Sequence, residues 1–235
     1  MTANPNDATS YDDCGFDISH WNGPDLDFAQ LAGPGGRKVC ELKVTEDTGG
    51  VDDRFVAYAD AAGAAGITRL AAYHFAHHGE VQAQMDHFVK TFVEQRAKVT
   101  RCPPCLFMLD LERGANPPNE TDGLAMVAYL KNLGIAPLIY CGYDFWSQAY
   151  PQLADCGCFL AAYNSHPTSP LPWRIPSADV YGWDLWQYTG DSLGPYAKDI
   201  PGGSHGMDLS CFNLKKRPEG VEAWWDAMLA KTRQP

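Results

Sequence analysis

Short apolar runs rich in β-branched and aromatic residues alternate along the chain with stretches of helical period, the pattern of β/α units wound around a largely parallel sheet. The alternation predicts strands over Cys14–Ser19, Val39–Thr45, Leu70–Phe75, Leu106–Leu111, Pro137–Cys141, Phe159–Tyr163, Asp184–Tyr188 and Met207–Phe212. Helical spacing predicts a short helix around Asp27–Ala32 and an Ala-rich one over Asp53–Ala65, with Asp52 as N-cap and Gly66 as terminator. Val81, Met85, Phe88, Val89 and Phe92 mark a third helix that ends before Arg101. Asp122–Leu133, closed by Gly134, and Val221–Lys231, with Trp224 and Met228 on one face, complete the set.

Strands outnumber convincing helices, so the expected fold is α/β: an irregular, TIM-like (β/α) barrel. Residues 163–188 have no helical pattern, which predicts a second half that departs from a regular barrel. No linker or internal repeat interrupts the chain. The expected organisation is a flexible polar arm over residues 1–13, then a single catalytic domain over 14–235.

Composition narrows the partners. The formal net charge is −11, and basic residues cluster only in short pairs and triplets such as Lys215-Lys216-Arg217, so no phosphate-tracking groove and no nucleic-acid partner are expected. No apolar run is long enough to insert in a membrane, and Met1–Asp13 has no apolar core of a secretory signal. Of the 8 cysteines, Cys102-Pro-Pro-Cys105 and Cys156-Gly-Cys158 invite either a zinc or a disulfide reading. Cys40 and Cys141 lie in apolar strand runs and read as buried thiols. The stiff Pro-Pro knuckle and the position of both pairs beside strands speak against zinc, so no metal or other cofactor is expected.

Chemistry concentrates where Phe107-Met-Leu-Asp-Leu-Glu112 ends the most apolar strand with two carboxylates. Strand side chains alternate, so Asp110 and Glu112 share one face, their backbones about 6–7 Å apart along the strand. Crowding in an apolar setting raises the pKa of one such acid and leaves the other ionised, the split that acid-assisted glycoside cleavage requires. Asp17 and Asp208 likewise stand inside short apolar strands, where an uncompensated carboxylate is costly. In a barrel, the C-terminal strand ends would bring these four acids together. Aromatic residues join them at predicted strand ends. Tyr73, Tyr140 and Tyr163 are expected to line a saccharide groove, Phe75 and Trp186 to pack in the core.

The ordered motifs Gly15-Phe-Asp-Ile-Ser-His-Trp21, Leu42-Lys-Val-Thr-Glu46, Ala72-Tyr-His-Phe75, Leu109-Asp-Leu-Glu112, Pro137-Leu-Ile-Tyr140, Trp186-Gln-Tyr188 and Asp208-Leu-Ser-Cys-Phe-Asn213 resemble glycoside hydrolase family 25. The resemblance spans nearly the whole chain. It implies a modified α/β barrel that hydrolyses the β-1,4 bond between N-acetylmuramic acid and N-acetylglucosamine in bacterial peptidoglycan. On this resemblance Glu112 matches the proton donor, and Asp110 the acid that supports the charged transition state or orients the acetamido group. Asp17 and Asp208 match flanking pocket carboxylates, and Tyr73, Tyr140, Tyr163 and Gln187 match sugar-binding positions. The implied protein is a monomeric, bacteriolytic lysozyme acting on the cell wall, extracellular or periplasmic, and without a visible signal it is phage-released or delivered by another route.

Two other readings compete. A metal-dependent carbohydrate deacetylase would draw ligands from Asp17, Asp110, Asp208, His74, His77, His78 and His205, although no His-x-x-x-His spacing is present. A wall-binding module on the same fold would have lost Glu112 or Asp110, and both are present.

Overall fold

The computed structural model describes residues 7–101, 103–142, 145–147, 150–163, 183–190 and 193–233. Among the described residues, nine strands form one sheet: β1 Tyr11–Ile18, β2 Val39–Glu46, β3 Gly50–Val51, β4 Arg69–Phe75, β5 Cys105–Leu111, β6 Leu138–Gly142, β7 Gly157–Ala161, β8 Leu185–Thr189 and β9 Asp208–Asn213. Their spatial order is β1-β9-β8-β7-β6-β5-β4-β2-β3, and β1 also pairs with β2, which closes eight of them into a barrel. β3 is a two-residue strand that pairs antiparallel with the end of β2.

Every barrel neighbour is parallel except β9, which runs antiparallel to both β8 and β1. The consequence reaches the site. The first residue of β9, Asp208, pairs with Asp17 near the end of β1. It therefore meets the other acids from the N-terminal end of its strand, not from a C-terminal end as the barrel rule suggests.

β1 begins at Tyr11, three residues before the expected start, so the arm reading fails for Tyr11–Asp13. Asp13 is instead fixed by Arg37, by Lys198 at 2.7 Å and by the Tyr188 hydroxyl, which donates at 2.7 Å.

The helices are α1 Phe28–Leu31, α2 Phe55–Ala65, α3 Val81–Arg96, α4 Glu120–Asn132 and α5 Gly220–Ala230. α3 buries Met85, Phe88 and Phe92 against the barrel, as its period predicts. α4 starts with a reciprocal cap, Asn119 bonding the backbone N–H of Asp122 while Asp122 bonds back to that of Asn119. α2 ends at Gly66 in the left-handed region (φ 88°), the conformation that only glycine adopts without strain. Its N-cap is Arg54, not Asp52, whose carboxylate bridges two segments: Oδ1 accepts the Arg54 backbone N–H at 2.9 Å and Oδ2 meets His20.

α5 has a separate task. Trp224, Trp225 and Met228 pack with Val39, Leu106, Leu138, Phe159, Leu185 and Phe212, so the helix plugs the barrel end away from the acids. Losing a fully buried tryptophan such as Trp225 from this plug costs about 3–5 kcal/mol. The stretch over 163–188 that lacks helical pattern lies mostly outside the described residues. Among the described residues, no helix is long and apolar enough to cross a membrane.

Candidate active site

The open end of the barrel holds a groove of about 750 Å³. Asp17, Asp110, Glu112 and Asp208 all line it, together with Tyr73, Tyr140 and Tyr163. Three strands, β1, β5 and β9, thus deliver four carboxyl groups to one floor. Gly190 lines the groove too, and a side chain there would strike the Tyr163 ring at 2.6 Å, so the glycine makes room for that tyrosine.

A single carboxamide ties the floor together. Gln187, buried on β8, donates from Nε2 to Asp17 Oδ2 at 2.6 Å and to Asp208 Oδ2 at 3.1 Å. Its Oε1 accepts from the Tyr163 hydroxyl at 2.7 Å and from the Tyr140 hydroxyl. The two hydroxyls also lie 3.1 Å apart, and that of Tyr140 is 3.3 Å from Glu112 Oε2. Gln187 is buried and holds two acids and two tyrosines of the site in register.

Charge is crowded here. Burial, followed by the charges of Asp208, Glu41 and Asp110, pushes the Asp17 carboxyl well above the usual carboxylate range. Burial and then the neighbouring Glu112 push Asp110 up in the same way, with the Lys43 ammonium opposing. Asp110 Oδ1 is buried and has no hydrogen-bonding partner within the protein. Lys43 lines the groove, holds Glu46 at 2.6 Å and sits 5.0 Å above the Phe75 ring. Burial also raises the hydroxyl pKa of Tyr73 and Tyr140, so both remain neutral donors.

Sequence reasoning placed Phe75 in the core, but the ring is half-buried and lines the groove, whereas Trp186 is a core residue at 1% exposure. It gave no role to Lys43 or Trp21, which both line the groove. Strand alternation from Asp17 and Asp110 across to β2 carries the signal for Lys43, because odd-numbered positions of β2 face the same interior.

The histidines of the deacetylase reading scatter. His74 is buried against Thr45 and Gln84, His77 meets Glu46, His78 meets Asp122 and His205 meets Asp199. Among the described residues, no group of three or more His, Cys, Asp or Glu is placed to hold a metal ion. Cys14, Cys40, Cys156, Cys158 and Cys211 are thiols, and Cys102 of the Cys102/Cys105 pair lies outside the described residues.

Four carboxyl groups gathered with tyrosine hydroxyls and one lysine in a groove at the open end of an α/β barrel are the equipment of a glycoside hydrolase. The model of glycosyl hydrolases family 25 matches residues 16–195, and the chain belongs to that family. Solved structures agree on the fold. A family 25 glycosyl hydrolase from Bacillus anthracis matches with TM-score 0.65 at 23% identity, covering 96% of this chain and 97% of that one. A muramidase from Trichobolus zukalii matches with TM-score 0.66 at 25% identity, over 93% and 99%. A bacterial lysozyme from Streptomyces coelicolor matches with TM-score 0.63 at 23% identity, over 93% and 97%. No curated protein matches the sequence.

Proposed function

We propose that the protein is an N-acetylmuramidase that cleaves the β-1,4 bond between N-acetylmuramic acid and N-acetylglucosamine in bacterial peptidoglycan. It acts as a monomer on cell-wall glycan strands. The observation that carries this reading is the Asp110/Glu112 pair. Asp110 is buried with one oxygen free of protein partners, while Glu112, two residues on, is half-buried at the groove. Names of similar structures, a muramidase and a lysozyme among them, point the same way.

In this reading Glu112 protonates the leaving oxygen. Proton counting at Tyr140 supports the assignment. Its hydroxyl carries one proton and faces two acceptors, Gln187 Oε1 and Glu112 Oε2. When that proton goes to Gln187, a proton on Glu112 completes the 3.3 Å contact, and Glu112 is then the neutral acid that a proton donor must be. The free oxygen of Asp110 accepts the N–H of the substrate's 2-acetamido group and turns its carbonyl oxygen toward the anomeric carbon. That oxygen forms the new C–O bond as the glycosidic C–O bond breaks. Glu112, now a carboxylate, then takes a proton from the water that reopens the ring, and the anomeric configuration is retained. Asp110 and Glu112 come from one end of one strand, a poor arrangement for attack on opposite faces of one sugar. Asp17 and Asp208, clamped by Gln187, form the polar floor beside the anomeric carbon and hold the site's shape as the oxocarbenium character develops.

The test is Glu112→Gln, which keeps shape and removes the acid. Turnover of peptidoglycan should fall by ~10²–10⁴-fold while wall fragments still bind. Turnover within threefold of the unaltered enzyme would overturn the assignment.

A further inference from the structure

Trp21 is 83% exposed, while Trp146, Trp183, Trp186, Trp224 and Trp225 are all at 4% or less. A large indole left in water forgoes the burial that makes tryptophan valuable, so its position needs a cause. The surrounding chain is built to hold it there. A single 3₁₀ turn, His20–Asn22, carries the ring, with Ser19 as its N-cap. Asn22 Oδ1 accepts from the Ser19 backbone N–H at 2.9 Å, and Asn22 Nδ2 donates to Ser204 Oγ at 3.1 Å across the groove mouth. His20 packs on the indole with ring centroids 4.5 Å apart. His20 is itself anchored, since its backbone N–H and its Nδ1 both meet Asp52 Oδ2 at 2.9 Å, and Asp52 is buried. The ring is thus backed on one side, fixed at its base and open to the same groove as the four acids.

Resting on the glycan-cleaving reading above, we propose that Trp21 is a carbohydrate platform, stacking the apolar face of a pyranose ring that flanks the sugar pair being cleaved. A platform of this kind suits a chain of net charge −11, which has no electrostatic means of adhering to an anionic envelope. Binding is carried by shape and by aromatic contact, and the ordering cost is already met by the capped turn. Because Trp21 flanks the reacting pair, it contributes equally to ground and transition states. Its loss therefore raises KM and leaves kcat alone.

Two variants and two readouts decide it. On peptidoglycan strands, Trp21→Ala should raise KM about tenfold with kcat within about twofold, and Trp21→Phe should recover most of the loss. The second readout is tryptophan fluorescence of the Glu112→Gln protein titrated with tetra-N-acetylchitotetraose. The emission should respond, and the response should vanish when Trp21→Phe is added. An unchanged KM in a Trp21→Ala enzyme that still cleaves, or a fluorescence response that survives without Trp21, overturns the platform and leaves the catalytic reading standing. Sugar-dependent fluorescence from Trp21 in a protein that does not cleave peptidoglycan supports the platform and refutes the proposed activity instead.

Discussion

Replacing Glu41 by glutamine should stabilise the protein by an amount that grows with pH. Glu41 faces the barrel interior beneath the groove, where its register partners are Asp17 on β1 and the small Ala71 on β4. It is fully buried, and neither carboxyl oxygen has a hydrogen-bonding partner within the protein. Burial raises its pKa from 4.5 to about 8. The sign follows from proton counting. Between pH 4.5 and 8 the folded protein keeps a proton that the unfolded chain releases, so stability is full below 4.5 and drains away as pH rises to about 8. At 1.36 kcal/mol per unit, the gap sets a ceiling of about 5 kcal/mol above pH 8, and about 3 kcal/mol at pH 7. Glutamine has the same shape and does not titrate. Its amide is as poorly satisfied as the neutral acid, so near pH 4.5 the two proteins should agree within about 1 kcal/mol. Urea unfolding of both proteins from pH 4.5 to 8.5 gives the difference directly. By pH 7 it should amount to a gain in Tm of roughly 6–12 °C for the variant. A difference that stays flat with pH, or a variant less stable than its parent at pH 8, would refute the idea of a buried neutral acid.

Two predictions concern the floor of the groove. Gln187→Leu removes the donor shared by Asp17 and Asp208 and the acceptor shared by Tyr140 and Tyr163. kcat should drop by roughly 10- to 100-fold while chitotetraose still binds, and a change confined to KM would contradict a positioning role. For stereochemistry, NMR of the first-formed anomer should show retention, with no covalent sugar adduct in the intact mass. An inverted product, or an adduct on Asp17 or Asp208, would rule out acetamido assistance.

Much of this architecture is legible in the chain because apolar alternation is a strong signal where one strand face is buried. All eight barrel strands lie within a few residues of their expected positions, and the family model matches residues 16–195. Strand direction is not written in that alternation. Antiparallel β9 looks like any other strand until its pairing with β8 and β1 is known, which is why Asp208 reaches the acids from an unexpected end. For Gln187 the resemblance implies a sugar-binding position; its bonds to Asp17, Asp208, Tyr140 and Tyr163 add a positioning role that only partners in space reveal. Glu41 and Lys43 alternate in β2 like surface residues, and closure of the barrel turns that polar face inward. Asp52 has the look of a helix cap; one oxygen does accept from the Arg54 backbone N–H, and the other reaches His20, a partner far away in sequence that no local pattern announces. Trp21 escapes because propensity carries no information about which aromatic is left in water.

The most direct test of the central claim is mass spectrometry of the fragments released from purified peptidoglycan. Cleavage as proposed leaves new reducing ends on N-acetylmuramic acid, visible as disaccharide muropeptides that reduce with borohydride at that sugar. The Glu112→Gln protein should release almost none. Reducing ends on N-acetylglucosamine, free stem peptides from amide cleavage, or deacetylated but uncut glycan would each contradict the account.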